Sequence, residues 1–214
     1  MATLESQPDS HDWTDTSRIQ PQSWRNRAIE SLPLDSIHIL DACQTAQEKR
    51  WEETTGVPAA ESSFTLAIPI HNEEHALPSF LDAVLLSDIP ESVPVTIVFI
   101  TNACTDSSQQ IIHSFMEQWS SGEEVTYVYP VTGQTIRAPK ARKGAMQLIH
   151  IDIPEAGKAN ALTLASHVSQ SIGNRILMTH DANVFPEPDA IRTMFGLAQK
   201  HIISAASPAA VITG

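Results

Sequence analysis

The sequence predicts an α/β sandwich in three layers around a mainly parallel sheet. Two observations carry that expectation. From Phe64 onward, short apolar runs of strand length alternate with stretches of helical period. A polar cluster closes most of those runs, where parallel sheets place their ligands. The chain has 214 residues, 42% hydrophobic and 18% charged, which suits one packed domain with an appendage.

The elements follow in order. Residues 1–60 carry Gln, Ser, Asp, Thr and Pro, no strand-like run, and three of the four tryptophans, Trp13, Trp24 and Trp51. They read as a partly ordered N-terminal arm that docks through its aromatics. Within it, Ile37, Leu40, Ala42 and Ala46 give a weak apolar stripe, so Ser36 to Glu53 is expected to be helical. Phe64–Ile70 reads as a buried strand. Leu77, Phe80, Leu81, Val84 and Leu85 set a helix over 74–87. Val95–Ile100 is the second strand, and Ile111, Ile112, Phe115, Met116 and Trp119 set a helix over 106–119. Val125–Tyr129 is the third strand. Val131–Gln147 breaks the rhythm and reads as a loop. Its Arg137, Lys140, Arg142 and Lys143 meet an anionic group or are simply solvated. A helix over 157–170, a strand at Arg175–Thr179 and a helix over 187–200 follow. Ser204–Gly214 looks like a further strand cut at its end.

Composition excludes several classes. Lys and Arg total 13 against 25 Asp and Glu, a net charge of −12, which argues against a general nucleic-acid binder. No apolar run approaches a membrane span, and the first residues lack the basic start and apolar stretch of a secretory signal. Cys43 and Cys104 make neither a disulfide framework nor a four-ligand zinc site. The expected setting is a reducing cytoplasm.

Four polar clusters carry the chemistry. After the first strand comes Pro69-Ile-His71-Asn72-Glu73-Glu74. His and Asn at a strand end can flank a base and hydrogen-bond it, while the glutamates also suit the first turn of a helix. After the second comes Thr101-Asn102-Ala-Cys104-Thr105-Asp106, a tight turn with cap residues. Gly157-Lys158 opens a helix and places backbone N–H groups and an ammonium near a potential anion. Last, Asp181 and Asn183 stand two apart, so an extended segment projects both to one side. Two such oxygen ligands, with diphosphate oxygens and water, suit Mg²⁺ or Mn²⁺. An Asx-turn leading into the next helix explains the same pair.

In this order and spacing, the four clusters resemble the nucleotide-binding half of the family 2 glycosyltransferases, hexosyltransferase-like enzymes of the glycosyltransferase A-type, Rossmann-like fold. The resemblance covers about Phe64 to Gly214. It divides the chain into the arm, 1–60, and a nucleotide-sugar-binding portion, 61–214. It implies that Pro69, His71, Asn72, Glu73, Thr101, Asn102 and Lys158 bind the donor nucleotide, and that Asp181 and Asn183 hold a divalent metal, Mn²⁺ or Mg²⁺. Three positions depart from the family pattern. His71 stands where Tyr is common, Thr101 where an Asp often reads the base, and Asn183 where the metal motif has its second Asp. The implied reaction passes a sugar from a nucleotide-sugar donor to an acceptor hydroxyl with inversion. The acceptor is unknown.

The general base of such enzymes follows the metal motif, yet Ile191–Gly214 contains neither Asp nor Glu. The expectation is therefore a chain truncated at its C-terminus and inactive alone. The alternative is a non-catalytic fragment of the same fold that binds a nucleotide or a partner. A sugar nucleotidyltransferase is disfavoured, because 69–80 lacks the glycine-rich loop it needs.

Overall fold

The computed structural model describes residues 34–200. The arm residues 1–33, with Trp13 and Trp24, and the strand expected at 204–214 lie outside the described residues. The observed order is α1 (Leu34–Thr55), β1 (Phe64–Ile70), α2 (Leu77–Leu85), β2 (Val95–Asn102), α3 (Ser108–Met116), β3 (Ser120–Val128), β4 (Thr135–Lys143), β5 (Met146–Ile153), α4 (Lys158–Ser171), β6 (Leu177–Thr179) and α5 (Ala190–Lys200).

The six strands form one sheet in the order β3-β4-β5-β2-β1-β6. β5, β2, β1 and β6 run parallel, and β4 is antiparallel to both of its neighbours. Strand periodicity divides the core into two layers. On one face, Leu66, Ile68, Ile97 and Phe99 pack with Phe80 of α2, Phe115 of α3 and Phe195 of α5. On the other, Ala67, Val98, Ile100 and Ile151 pack with Ala161, Leu164 and Val168 of α4. Helices thus cover both faces, and the fold is an α/β three-layer sandwich on a mostly parallel sheet.

Trp51 of α1 is fully buried in the first layer. Its ring stacks on Phe64 with centroids 6.2 Å apart and tilts against Phe195 at 5.2 Å. Its indole N–H donates to Ser62 Oγ at 2.9 Å, which satisfies the polar atom that burial would otherwise strand.

The stretch 131–147 corrects the sequence reading. It is not a mobile loop. Residues 135–143 are strand β4, hydrogen-bonded on both sides. Its buried residues are the small Ala138 and Ala141, so no apolar run marks it. Lys140 lies along the sheet with only 15% of its side chain exposed and pairs with Glu123 of β3 at 3.1 Å. α2 also starts later than its period suggests. Glu73 and Glu74 stay in the preceding turn, and Pro78 occupies the first turn of the helix. No helix among the described residues is long and apolar enough to cross a membrane.

Candidate functional site

β1, β2 and β6 end on the same edge of the sheet, and α4 begins there. Left-handed backbone follows each of the two longer strands. Asn72 has φ 56° after β1 and Ala103 has φ 50° after β2. Asn accepts that conformation readily, whereas Ala bears a steric cost of about 1–2 kcal/mol. Such turns are held by their surroundings. Asn72 Oδ1 accepts the Thr105 N–H at 2.8 Å, and the Ala103 N–H donates to Ile153 O at 2.8 Å.

A web of polar contacts ties the loop after β1 to the loop after β2. The Glu73 N–H donates to Ser108 Oγ at 2.9 Å, and the Glu74 N–H donates to Asp106 Oδ2 at 3.0 Å. Asp106 Oδ1 accepts the Ser108 N–H at 3.0 Å. Burial works against the Asp106 carboxylate, but hydrogen bonds from Ser108 and from the Glu74 backbone outweigh it and hold the pKa below its ordinary value. Asn102 is the clamp of the edge. Its Nδ2 donates to Ile70 O at 2.8 Å and its Oδ1 accepts the Gly157 N–H at 3.2 Å. One buried amide thus fixes the ends of β1 and β2 against the start of α4.

These elements enclose a cleft of about 320 Å³. Pro69, His71 and Glu73 from β1 and its following loop, Asn102 from β2, Gly157 and Lys158 at the start of α4, and Asp181, Ala182 and Asn183 after β6 line it. Gly157 has φ 123° and caps α4 without a side chain, so the first turn of the helix opens toward the cleft. Lys158 Nζ meets Asp181 Oδ1 at 2.5 Å. Asn183 Nδ2 donates to Glu73 Oε1 at 3.1 Å. Burial first, then the carboxylates of Asp106 and Asp181, push the Glu73 carboxyl above its ordinary value, and His71 offsets part of this.

The structure brings seven of the nine sequence-predicted residues to this cleft and leaves two off it. Asn72 is exposed, and its side chain holds the β2–α3 turn. Thr101 is fully buried. Strand alternation places Thr101 and Asn102 on opposite faces of β2, so Thr101 points under α3. There its hydroxyl donates to Asp152 Oδ1 at 2.9 Å and meets His150 Nε2 at 3.0 Å. Gly157 and Ala182 are the lining residues that sequence reasoning did not name as site residues, although a glycine before a helical Lys was the signal for Gly157. His180, next to Asp181 just after β6, packs on Phe80 with centroids 5.5 Å apart.

Two carboxylates and one amide oxygen in reach of the cleft form a set of hard donors suited to Mg²⁺ or Mn²⁺. Among the described residues no group of three or more His, Cys, Asp or Glu side chains gathers to hold a metal by itself. A cation held by these side chains would need further ligands from elsewhere.

No family model matches the chain, and no curated protein matches it. Solved structures do. One is the mannosyltransferase PcManGT from Pyrobaculum calidifontis in complex with GDP-Man and Mn²⁺, at 18% identity and TM-score 0.44, covering 75% of this chain and 42% of that one. Another is S. aureus TarS 1-349, at 12% identity and TM-score 0.43, covering 66% and 33%. TarS in complex with UDP-GlcNAc also matches, at 13% identity and TM-score 0.40, covering 65% and 32%. The chain thus spans less than half the length of each of these solved chains.

Proposed function

We propose that this chain is the donor-binding portion of a glycosyltransferase that moves a sugar from a nucleotide-sugar donor to an acceptor hydroxyl. The observation that carries the reading is the convergence of residues from four distant motifs on one cleft at the carboxyl ends of parallel strands. The β1–β2 side, with Pro69, His71 and Glu73, receives the base and ribose. The α4 side receives the diphosphate, where Lys158 and the open helix N-terminus supply positive charge.

Such a transfer is an in-line displacement at the anomeric carbon with an oxocarbenium-like transition state, and a single displacement gives inversion. The bond to the diphosphate oxygen breaks as the acceptor oxygen bonds to carbon, so negative charge grows on the leaving diphosphate. Lys158 neutralises that charge and thereby lowers the barrier. Asp181 and Asn183 would hold a divalent cation together with the diphosphate, and that cation supplies further charge neutralisation when bound. Asp181 and Glu73 are engaged by Lys158 and Asn183, and neither is assigned as the base that takes the acceptor proton.

Calorimetry of nucleoside diphosphates with and without Mn²⁺ tests the donor site. Mn²⁺ is expected to tighten binding, and Asp181→Ala to remove that gain and weaken binding at least tenfold. Lys158→Met weakens binding with or without metal. Metal-independent binding that survives Asp181→Ala removes the metal role. The second reading, a non-catalytic nucleotide-binding module, is favoured by Asn183 at a metal position and by the internal Lys158–Asp181 pair. Binding without release of sugar from any bound donor supports that module.

A further inference from the structure

We propose that His71 is a base-contacting residue that accepts a hydrogen bond from an N–H of the nucleobase through Nε2. The proposal rests on the reading of this cleft as a nucleotide site and adds the polarity of its base-facing side. His71 Nδ1 lies 2.7 Å from the backbone oxygen of Asn102. A peptide carbonyl only accepts, so Nδ1 carries the proton. In the neutral ring Nε2 is then a lone-pair acceptor, and no described residue partners it. The ring is exposed and lines the cleft.

The neighbouring side chains reinforce that polarity. Asn102 is buried, with Nδ2 donating one N–H to Ile70 O and Oδ1 accepting the Gly157 N–H, so its amide presents little to a ligand. The Thr101 hydroxyl is on the other face of the strand, directed at Asp152. Glu73 adds a carboxylate, which also accepts. His71 and Glu73 thus offer acceptors to the cleft, and the ammonium of Lys158, paired with Asp181, offers it a cation. A ligand with phosphates at Lys158 and an N–H edge over His71 matches both. An edge of carbonyl oxygens or unprotonated ring nitrogens meets His71 lone pair to lone pair. The N–H is either a ring imide or lactam, as in uracil and guanine, or an exocyclic amine, as in cytosine and adenine.

Calorimetry of UDP, GDP, CDP and ADP against the full chain in Mn²⁺ tests this. Each is paired with an analogue that lacks the N–H: N3-methyl-UDP, N1-methyl-GDP, N4,N4-dimethyl-CDP and N6,N6-dimethyl-ADP. His71→Phe keeps a flat ring without the acceptor, and His71→Gln restores an acceptor oxygen. At least one parent nucleotide is expected to bind, with its methylated partner about three- to tenfold weaker, the range of one neutral hydrogen bond. His71→Phe should weaken the parent by a similar factor and lose the discrimination, and His71→Gln should recover part of it. The pair that discriminates identifies ring N–H or amine. The unaltered chain failing to discriminate, or His71→Phe binding and discriminating as the unaltered chain does, overturns the proposal and leaves the nucleotide reading standing. Failure of all four parents to bind overturns both. The methylated arm uses the unaltered chain, so it decides even where a variant fails to fold.

Discussion

His150 of β5 is buried beside the Thr101 hydroxyl, with Asp152 and His113 nearby. Burial, aided by His113 and opposed by Asp152, lowers its pKa from 6.5 to about 4. Between those values the unfolded chain binds the proton that the folded chain refuses, so stability rises with pH through that window and levels off above 6.5. The contribution is on the order of 3 kcal/mol across the full window. Denaturant titrations at pH 4.5 and pH 7.5 should show this loss on acidification, and His150→Gln should remove most of the difference. An unchanged difference in the variant would place the pH sensitivity elsewhere. Single residues were also where the sequence was most and least informative about the site. That His71, Lys158 and Asp181 lie at the cleft was legible from their positions, two just after strands and Lys158 at the start of a helix. Thr101 was not, because whether a strand-end residue faces the cleft or the opposite layer depends on the register of alternation. Neither was the bond from Asn183 to Glu73, which joins positions 110 residues apart.

Among the elements, α1 shows how a polar helix with a weak stripe earns its place through one aromatic anchor. Trp51, Phe64 and Phe195 form a three-ring contact between α1, β1 and α5. Gly196 of α5 makes that approach possible. A Cβ there would lie 3.0 Å from the Thr54 carbonyl oxygen and 3.4 Å from Thr55 Cα, both backbone atoms. Gly196→Ala must therefore push α1 away, at a cost of about 1–3 kcal/mol. Trp51→Ala should cost about 3–5 kcal/mol by cavity formation and loss of the aromatic contacts. Urea titration checks both, and an unperturbed midpoint for Gly196→Ala would mean that α1 is loosely held. β1, β2, α2, α3, α4 and α5 were legible, with ends shifted by a few residues. α1 is a helix as expected, but Ala42 and Ala46 of its expected stripe are exposed and Trp51 is buried instead. β4 was not legible, since its cations are exposed or half-buried and its buried positions are alanines. Its hydrogen bonds, which leave no mark on composition, make it a strand.

At the scale of the molecule, the alternation of strand and helix made the layered architecture legible, while the sheet order was not. Strand order depends on which edge each crossover chooses, and apolar runs carry no record of it. That order has a consequence in time. β2 pairs with β1 from about thirty residues away, Val95 against Phe64, whereas β6 pairs with β1 from more than a hundred, Leu177 against Thr65. Closing the longer loop costs more chain entropy and repays it through only three residue pairs. The β1–β2 unit and its hydrogen-bonded turns are thus expected to assemble first. Asp181 and Asn183 follow β6, so one wall of the cleft arrives with the last strand to dock. In a stopped-flow refolding experiment, secondary structure should recover ahead of the capacity to bind a fluorescent nucleoside diphosphate. A nucleotide present from the start should slow unfolding and leave the early refolding phases unchanged, because the ligand meets a complete cleft only at the end of the journey.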